Sequence, residues 1–315
     1  AERLGYEVQF HPATSPTAPL NRTSIAQAAA AAAAADLTVL AVGSGSEEAE
    51  GRDRLNLTLP PAQQELVDAI AAAVAPADGV LAVVCVSAGP VYIDPTVDGI
   101  GAVMYAGYGG EEAGHGVADV IFGRVSPSAR FPLTVYDKDY LSLVGPVSDF
   151  SSTSGVGRTY RYLNTSASPP LYHFGHGLSY SKFHYSGLAT AISPDGANVT
   201  VSVSVTNVGR VSAHEVVQVY VANPGAGAVA PALPIPLRSL QAFLRVWLDP
   251  NQPKRLDFVI DVSKLATVQA DGSAVVTEGE YTVSVGGRQP TDTNAAGVTQ
   301  GNVVEGVLTL PKTAK

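Results

Sequence analysis

The chain has 315 residues, 46% of them hydrophobic and only 15% charged, a balance that suits packed globular domains and excludes intrinsic disorder. That length accommodates two ordinary domains. A formal net charge of −9 excludes the basic footprint of a nucleic-acid binder, and the apolar run Ala28 to Ala35, flanked by Gln27 and Asp36, is far too short to span a membrane.

The chain opens at Ala1 without Met and without a charged-then-apolar leader, as a processed end would. Glu7 to Phe10 reads as a short strand. Ser24 is placed to cap a helix through the alanine run, since Ala has the highest helix propensity. Leu37 to Val42 reads as a buried strand. Pro60 and Pro61 open a helix over Ala62 to Val74, with Leu66, Ile70 and Val74 on one face. Val80 to Val86 and Ala102 to Tyr105 are further strands, and Glu111 to Phe122 is a helix closed by Gly123. Continuous apolar strands separated by helices predict a mostly parallel sheet with helices on both faces. Cys85, the single cysteine, lies in an apolar strand and reads as a core thiol; no internal disulfide is possible.

From Asp137 the chain becomes rich in Gly, Pro, Ser and aromatics and loses its periodicity, which reads as a long ordered connection. After Lys182 the signal is all-β. Val199, Val201, Val203 and Val205 alternate cleanly, Asn207 to Gly209 is a turn, and Val216 to Val221, Leu256 to Ile260 and Tyr281 to Val285 supply further strands, predicting a β-sandwich. The expected organisation is an α/β sandwich domain over 1–136, a connecting segment over 137–182 and an all-β sandwich over 183–315.

The densest chemistry lies in Gly43 to Arg54, directly after a buried parallel strand. Ligands of such sheets gather beyond the carboxyl ends of the strands. Three glutamates, one aspartate and two arginines fall within Glu47 to Arg54 of an otherwise charge-poor chain. A carboxyl group there can protonate a leaving oxygen and an arginine can bind hydroxyls; a solvated charged loop fits the position equally well. Gly43-Ser-Gly45 is not a dinucleotide fingerprint, because Glu48 stands where the third glycine belongs and would repel a pyrophosphate. No G-x-S-x-G, H-E-x-x-H, P-loop or Cys/His metal pattern occurs, and neither metal nor cofactor is expected. His173 and His176 read as structural hydrogen-bonding residues. Four N-x-[ST] sequons, at Asn21, Asn56, Asn164 and Asn198, among nine asparagines favour a secreted, N-glycosylated, extracellular or cell-wall protein.

Several stretches, in order along almost the whole chain, resemble glycoside hydrolase family 3, especially its β-xylosidase-like members. They are Ala35 to Gly43, Glu48-Ala-Glu-Gly-Arg-Asp-Arg-Leu-Asn-Leu-Thr-Leu-Pro60, Gln64 to Val67, Gly107 to Gly114, Ala118 to Gly123, Gly157-Arg-Thr-Tyr-Arg-Tyr162 and Phe174-Gly-His-Gly-Leu-Ser-Tyr180. Val205 to Gly209, Glu215 to Tyr220 and Glu278 to Tyr281 resemble the family's fibronectin type III-like domain. The resemblance implies a retaining exo-glycosidase in which a barrel supplies the nucleophilic aspartate and the α/β sandwich supplies the acid/base glutamate. Aligned on Asp53-Arg54, Glu48 falls at the acid/base position, with Glu50 as runner-up. Glu47 can raise that acid's pKa. Asp53 and Arg54 form a structural pair, with substrate contact by Arg54 the lesser role. Glu112 braces the fold, and Arg158 and Tyr160 pin the connection.

Nothing in the sequence matches the barrel, and the resemblance implies one further strand before Ala1. The expected partner is therefore an upstream barrel-containing fragment of the same precursor, and the expected substrate an oligo- or polysaccharide. The alternative is a non-catalytic extracellular structural or sugar-binding protein derived from the family.

Overall fold

The computed structural model describes residues 7–12, 21–45, 50–51, 54–146, 148–227, 233–290, 292 and 302–311. The chain divides into two compact units, Ala1–Arg124 with Val135–Leu141 and Val125–Thr134 with Ser142–Lys315. The divisions fall at 124, 134 and 141, so the second unit takes most of the connecting segment together with the all-β region.

The first unit is built on a three-stranded parallel sheet of β1 (Leu37–Gly43), β2 (Val80–Val86) and β3 (Ile100–Tyr105) in the order β1-β2-β3. Leu37 lies opposite Val80 and Gly43 opposite Val86. Among the described residues β1 pairs on one side only, with β2. The helix α1 (Arg22–Ala33) precedes β1 and packs against α2 (Pro61–Val74), which links β1 to β2. The helix α3 (Ala113–Ile121) follows β3, and none of its residues is buried.

The local reasons are mostly those the residues suggest. Pro61 starts α2, where its missing N–H costs nothing, and Leu66, Val67, Ile70 and Val74 bury one stripe at 3% exposure or less. On α1, Ile25, Ala28 and Ala32 face inward, and the two alanines leave room for the helices to approach. Cys85 is fully buried among the core residues of β2. Two expectations fail locally. The cap of α1 is Asn21, not Ser24: the Asn21 side-chain oxygen accepts the Ser24 N–H at 3.2 Å, because the cap must precede the amide it satisfies. Residues 7–12 form no strand, and Phe10 is 87% exposed, so the alternation at Glu7 to Phe10 finds no neighbouring strand to pair with.

The second unit is a β-sandwich. One sheet has the order β12-β11-β6-β7 and the other β4-β5-β8, all antiparallel. The strands are β4 (Phe183–Ile192), β5 (Asn198–Asn207), β6 (Ala213–Ala222), β7 (Ser239–Leu248), β8 (Pro253–Asp261), β11 (Gly279–Gly286) and β12 (Val303–Leu310); β9 (Thr267–Val268) and β10 (Ala274–Val275) make a separate small ladder. Val199, Val201, Val203 and Val205 are each at most 1% exposed, as their alternation predicts, and pack with Tyr281, Val283 and Val285 of β11. Each such side chain contributes about 1.5–3 kcal/mol by burial.

Polar side chains knit the irregular segments of this unit to the sandwich. Arg130 donates from Nη2 to Glu215 Oε2 at 2.6 Å and from Nε to the Gly287 carbonyl at 3.0 Å. Glu215 is fully buried and also accepts the Tyr185 hydroxyl at 2.8 Å. Gln218 donates to the Gly175 carbonyl at 3.0 Å, and Gln289 to the Phe174 carbonyl at 2.7 Å. Gly175 has φ +80°, and a Cβ there would collide with the Gln218 amide and the Tyr220 hydroxyl, so the position requires glycine. The Tyr160 ring stacks on Phe174 at 4.3 Å while its hydroxyl accepts the Leu240 N–H at 3.0 Å, and Arg158 donates to the carbonyls of Gly145 and Pro146. Both residues pin the connection. His173 and His176 are buried, and His176 Nδ1 lies 2.9 Å from Asp292 Oδ2.

Two outcomes follow. Glu215→Ala leaves Arg130 buried without its carboxylate and should lower the unfolding free energy by about 3–5 kcal/mol in urea denaturation, whereas Arg130→Met combined with Glu215→Leu should cost much less. Burial, the largest cause, holds the His173 pKa below the ordinary 6.5. Between its folded value and 6.5 the unfolded chain binds more protons, so stability present above pH 6.5 is lost as pH falls through that window. Thermal midpoints measured across this range should drop with acidification, and the slope should flatten in His173→Gln.

Candidate functional site

The candidate site occupies the carboxyl ends of β1, β2 and β3, all within the first unit. Gly43 ends β1 against β2 so closely that a Cβ would overlap the Val86 carbonyl. Only glycine allows this approach. Gln63, on α2, then bonds both polar groups of Gly43: Gly43 N donates to Oε1 at 2.7 Å and Nε2 donates to Gly43 O at 2.8 Å. The next carbonyl, of Ser44, accepts the Tyr108 hydroxyl at 3.3 Å from the segment following β3.

The far end of the same loop is tied to the segment that follows β2. Arg54 donates from Nη2 to the Pro90 carbonyl at 2.7 Å. Tyr92 N donates to the Leu57 carbonyl at 2.6 Å, and Thr58 forms an isolated parallel bridge with Tyr92. Tyr105, at the end of β3, donates its hydroxyl to the Val91 carbonyl at 2.7 Å. The charged loop is therefore tethered at both feet by three neighbouring segments.

Of the residues singled out in the sequence, Glu50 is exposed in a turn with Gly51, which has φ +76°. Arg54 is half-buried and braces the loop through Pro90. Glu47, Glu48 and Asp53 lie outside the described residues. Glu112, expected to brace the fold, is instead exposed at the start of α3 and pairs locally with His115 at 2.7 Å. A carboxylate at a helix amino terminus is favoured there without burial. The sequence reading missed Gln63, Tyr108 and Asp94. Asp94 is held below the ordinary carboxylate range, first by the Thr96 hydroxyl and then by the Thr96 N–H. The Tyr92 hydroxyl beside it is pushed up, chiefly by burial and then by the Asp94 charge. For Gln63 a signal existed: it is a polar residue on the apolar stripe of α2, at 3% exposure.

The sequon asparagines divide by exposure. Asn21, Asn56 and Asn164 are exposed, while Asn198 is half-buried in β5 opposite Asp261. The Asn164 side-chain oxygen accepts the N–H groups of Ser166 and Ala167 at 3.1 and 3.2 Å. The second unit also has a pocket of about 450 Å³, lined by Tyr160, Tyr162, Asn164, His173, Arg238 and Gln289 among others. Among the described residues no group of His, Cys, Asp and Glu could hold a metal ion, and no helix is long and apolar enough to cross a membrane.

The close approach at Gly43 makes a signed prediction. Gly43→Ala must displace the end of β1 or β2 and should destabilise the chain by about 1–3 kcal/mol. Gly116→Ala, in α3 with open space around the added methyl, should instead stabilise it by about 0.5–1 kcal/mol. Thermal unfolding of the two variants beside the parent measures both.

Comparison with known proteins agrees with this architecture. The model of the glycosyl hydrolase family 3 C-terminal domain matches residues 5–180, and that of the fibronectin type III-like domain matches residues 215–289. Probable β-glucosidase J of Aspergillus fumigatus is 39% identical over 231 residues, covering 70% of this chain and 26% of that protein. Thermostable β-glucosidase B of Acetivibrio thermocellus is 33% identical over 247 residues, 76% of this chain and 31% of its own. The crystal structure of the Bifidobacterium adolescentis family 3 β-glucosidase is 30% identical, superposes with a TM-score of 0.79 and covers 100% of this chain and 46% of its own. The chain thus spans about a quarter to a third of the curated relatives it matches. With more than half its length matched by the family model, this chain belongs to glycoside hydrolase family 3, as the family's carboxyl-terminal domain followed by a fibronectin type III-like domain.

Proposed function

We propose that this chain is the carboxyl-terminal part of a retaining exo-β-glycosidase and supplies the acid/base glutamate, Glu48, with Glu50 as runner-up. The nucleophilic carboxylate comes from an upstream barrel-bearing portion, which also extends the sheet of the first unit beside β1. The observation that carries the reading is the tethering of the charged loop at the carboxyl edge of the parallel sheet, in a chain of this family. Binding and catalytic residues concentrate on loops that a rigid scaffold holds in place.

The chemistry needs two carboxyl groups about 5 Å apart. The upstream carboxylate bonds to the anomeric carbon as the carbon–oxygen bond to the leaving group breaks, and the acid gives its proton to that oxygen. The same residue, now a base, takes a proton from water as the water oxygen displaces the enzyme carboxylate. Arg54, held by the Pro90 carbonyl, fixes the loop and is the secondary candidate for a substrate contact. The relatives are β-glucosidases by name, so a β-glucoside is the proposed substrate and the β-xyloside favoured by the sequence is its comparison. Secretion with N-glycans at Asn21, Asn56, Asn164 and Asn198 completes the proposal.

The test is hydrolysis of aryl β-glucoside and aryl β-xyloside by protein that joins this chain to its upstream portion. Glu48→Gln should lower turnover by about 10²–10⁴-fold. A loss confined to Glu50→Gln moves the role to the runner-up, and unchanged turnover in both refutes it. No cleavage by the parent protein favours the non-catalytic alternative.

A further inference from the structure

We propose that Gln63 is a positioning residue for the acid/base loop, acting through Gly43. The inference rests on the catalytic reading of that loop. It concerns a residue that touches neither substrate nor reacting atoms, and it follows from how β1 ends.

A strand residue presents its N–H and C=O to the same side. One primary amide can therefore bond both at once, as a neighbouring peptide would. Gln63 does so at 2.7 and 2.8 Å, from a helix face otherwise given to Leu66, Val67, Ile70 and Val74. A buried amide has to be satisfied internally, and Gly43 supplies both partners. Gly43 in turn lies against the Val86 backbone without a Cβ between them. The last fixed point before the charged loop is thus set by β2 on one side and by the α2 amide on the other.

The carbonyl of Ser44, the next residue, accepts the hydroxyl of the exposed Tyr108 at a longer 3.3 Å. Gln63 thus holds the near foot of the loop at Gly43, while Pro90 and Tyr92 hold the far foot. Only four residues lie between Gly43 and Glu48 in the sequence, so the root held by Gln63 is close along the chain to the proposed proton donor. A donor misplaced by about 1 Å can cost about a hundred-fold in rate. Leucine or methionine at position 63 fills the space of glutamine and makes neither bond.

The experiment uses protein joining this chain to its upstream portion and compares leaving groups. A dinitrophenyl β-glucoside departs without a proton, whereas an alkyl β-glucoside needs one. For Gln63→Met, kcat/KM on the alkyl glucoside should fall about a hundred-fold, with the dinitrophenyl glucoside nearly unchanged. The ratio of the two is independent of how much variant folds, and Gln63→Leu should give the same ratio. Equal falls on both substrates, or no fall on either, overturn the positioning role. If Glu48→Gln or Glu50→Gln shows the leaving-group signature and both Gln63 variants do not, the catalytic reading stands and this one fails. If both glutamate variants keep full turnover on the alkyl glucoside, the catalytic reading falls and this inference falls with it.

Discussion

A parallel sheet has to end somewhere, and the peptide groups at its end have to be bonded or solvated. In this chain that constraint is met at Gly43 by one glutamine. An unsatisfied buried N–H or C=O costs about 1–3 kcal/mol, so two of them at the end of β1 would be expensive in a domain of ordinary stability. The amide of Gln63 removes that cost and at the same time defines where the chain leaves the sheet. The glycine, the close contact with Val86 and the departure of the charged loop are consequences of the same junction.

The second unit solves a related problem by the same means. Its connecting segment has little regular structure, and its backbone satisfies itself only in part, through turn bonds such as Val156 N–H to the Leu143 carbonyl. Polar side chains supply further bonds, Gln218 of the sandwich for Gly175, Gln289 for Phe174, and Tyr160 of the segment in the other direction for Leu240. Asn207 extends the pattern to the end of β5, donating to Val211 and Leu248 and accepting from Gly209 and Ser181 while fully buried. The Arg130–Glu215 pair anchors a segment far away in sequence, and because it is buried, removing one partner would leave the other charge uncompensated. Amides carry most of these ties, because an amide offers donor and acceptor without the desolvation cost of a charge.

The proposed division of the chemistry fits this construction. A sheet edge that holds a loop by its two feet can present a proton donor, but cleavage with retention requires a second carboxylate opposite it. The chain spans about a quarter to a third of the curated relatives it matches, and the role proposed for its loop needs a second carboxylate that this chain is not proposed to supply. The loop is rooted at the end of β1 and on the segment after β2, and Glu50, the runner-up for the proposed donor, is exposed.

Local chemistry was legible wherever it was governed by period and breakers. The valines of β5, the apolar runs of β1 and β2, and the prolines before α2 specify their elements because burial of alternating or continuous apolar residues leaves one register open. The charged loop stood out for a different reason, its density of acidic and basic residues directly after β1 in a charge-poor chain. Glu7 to Phe10 shows the limit: alternation specifies a face but not the existence of a neighbour to pair with. Asn21 beat Ser24 for the cap of α1 by one turn, a choice made by where the helix begins rather than by residue type. Partners distant in sequence were decided only by the tertiary structure, as with His176 and Asp292, Arg130 and Glu215, and Gln63 with Gly43. A polar side chain declares in the sequence only that it needs a partner. Which backbone group or charge comes within hydrogen-bonding distance is settled by how the elements pack.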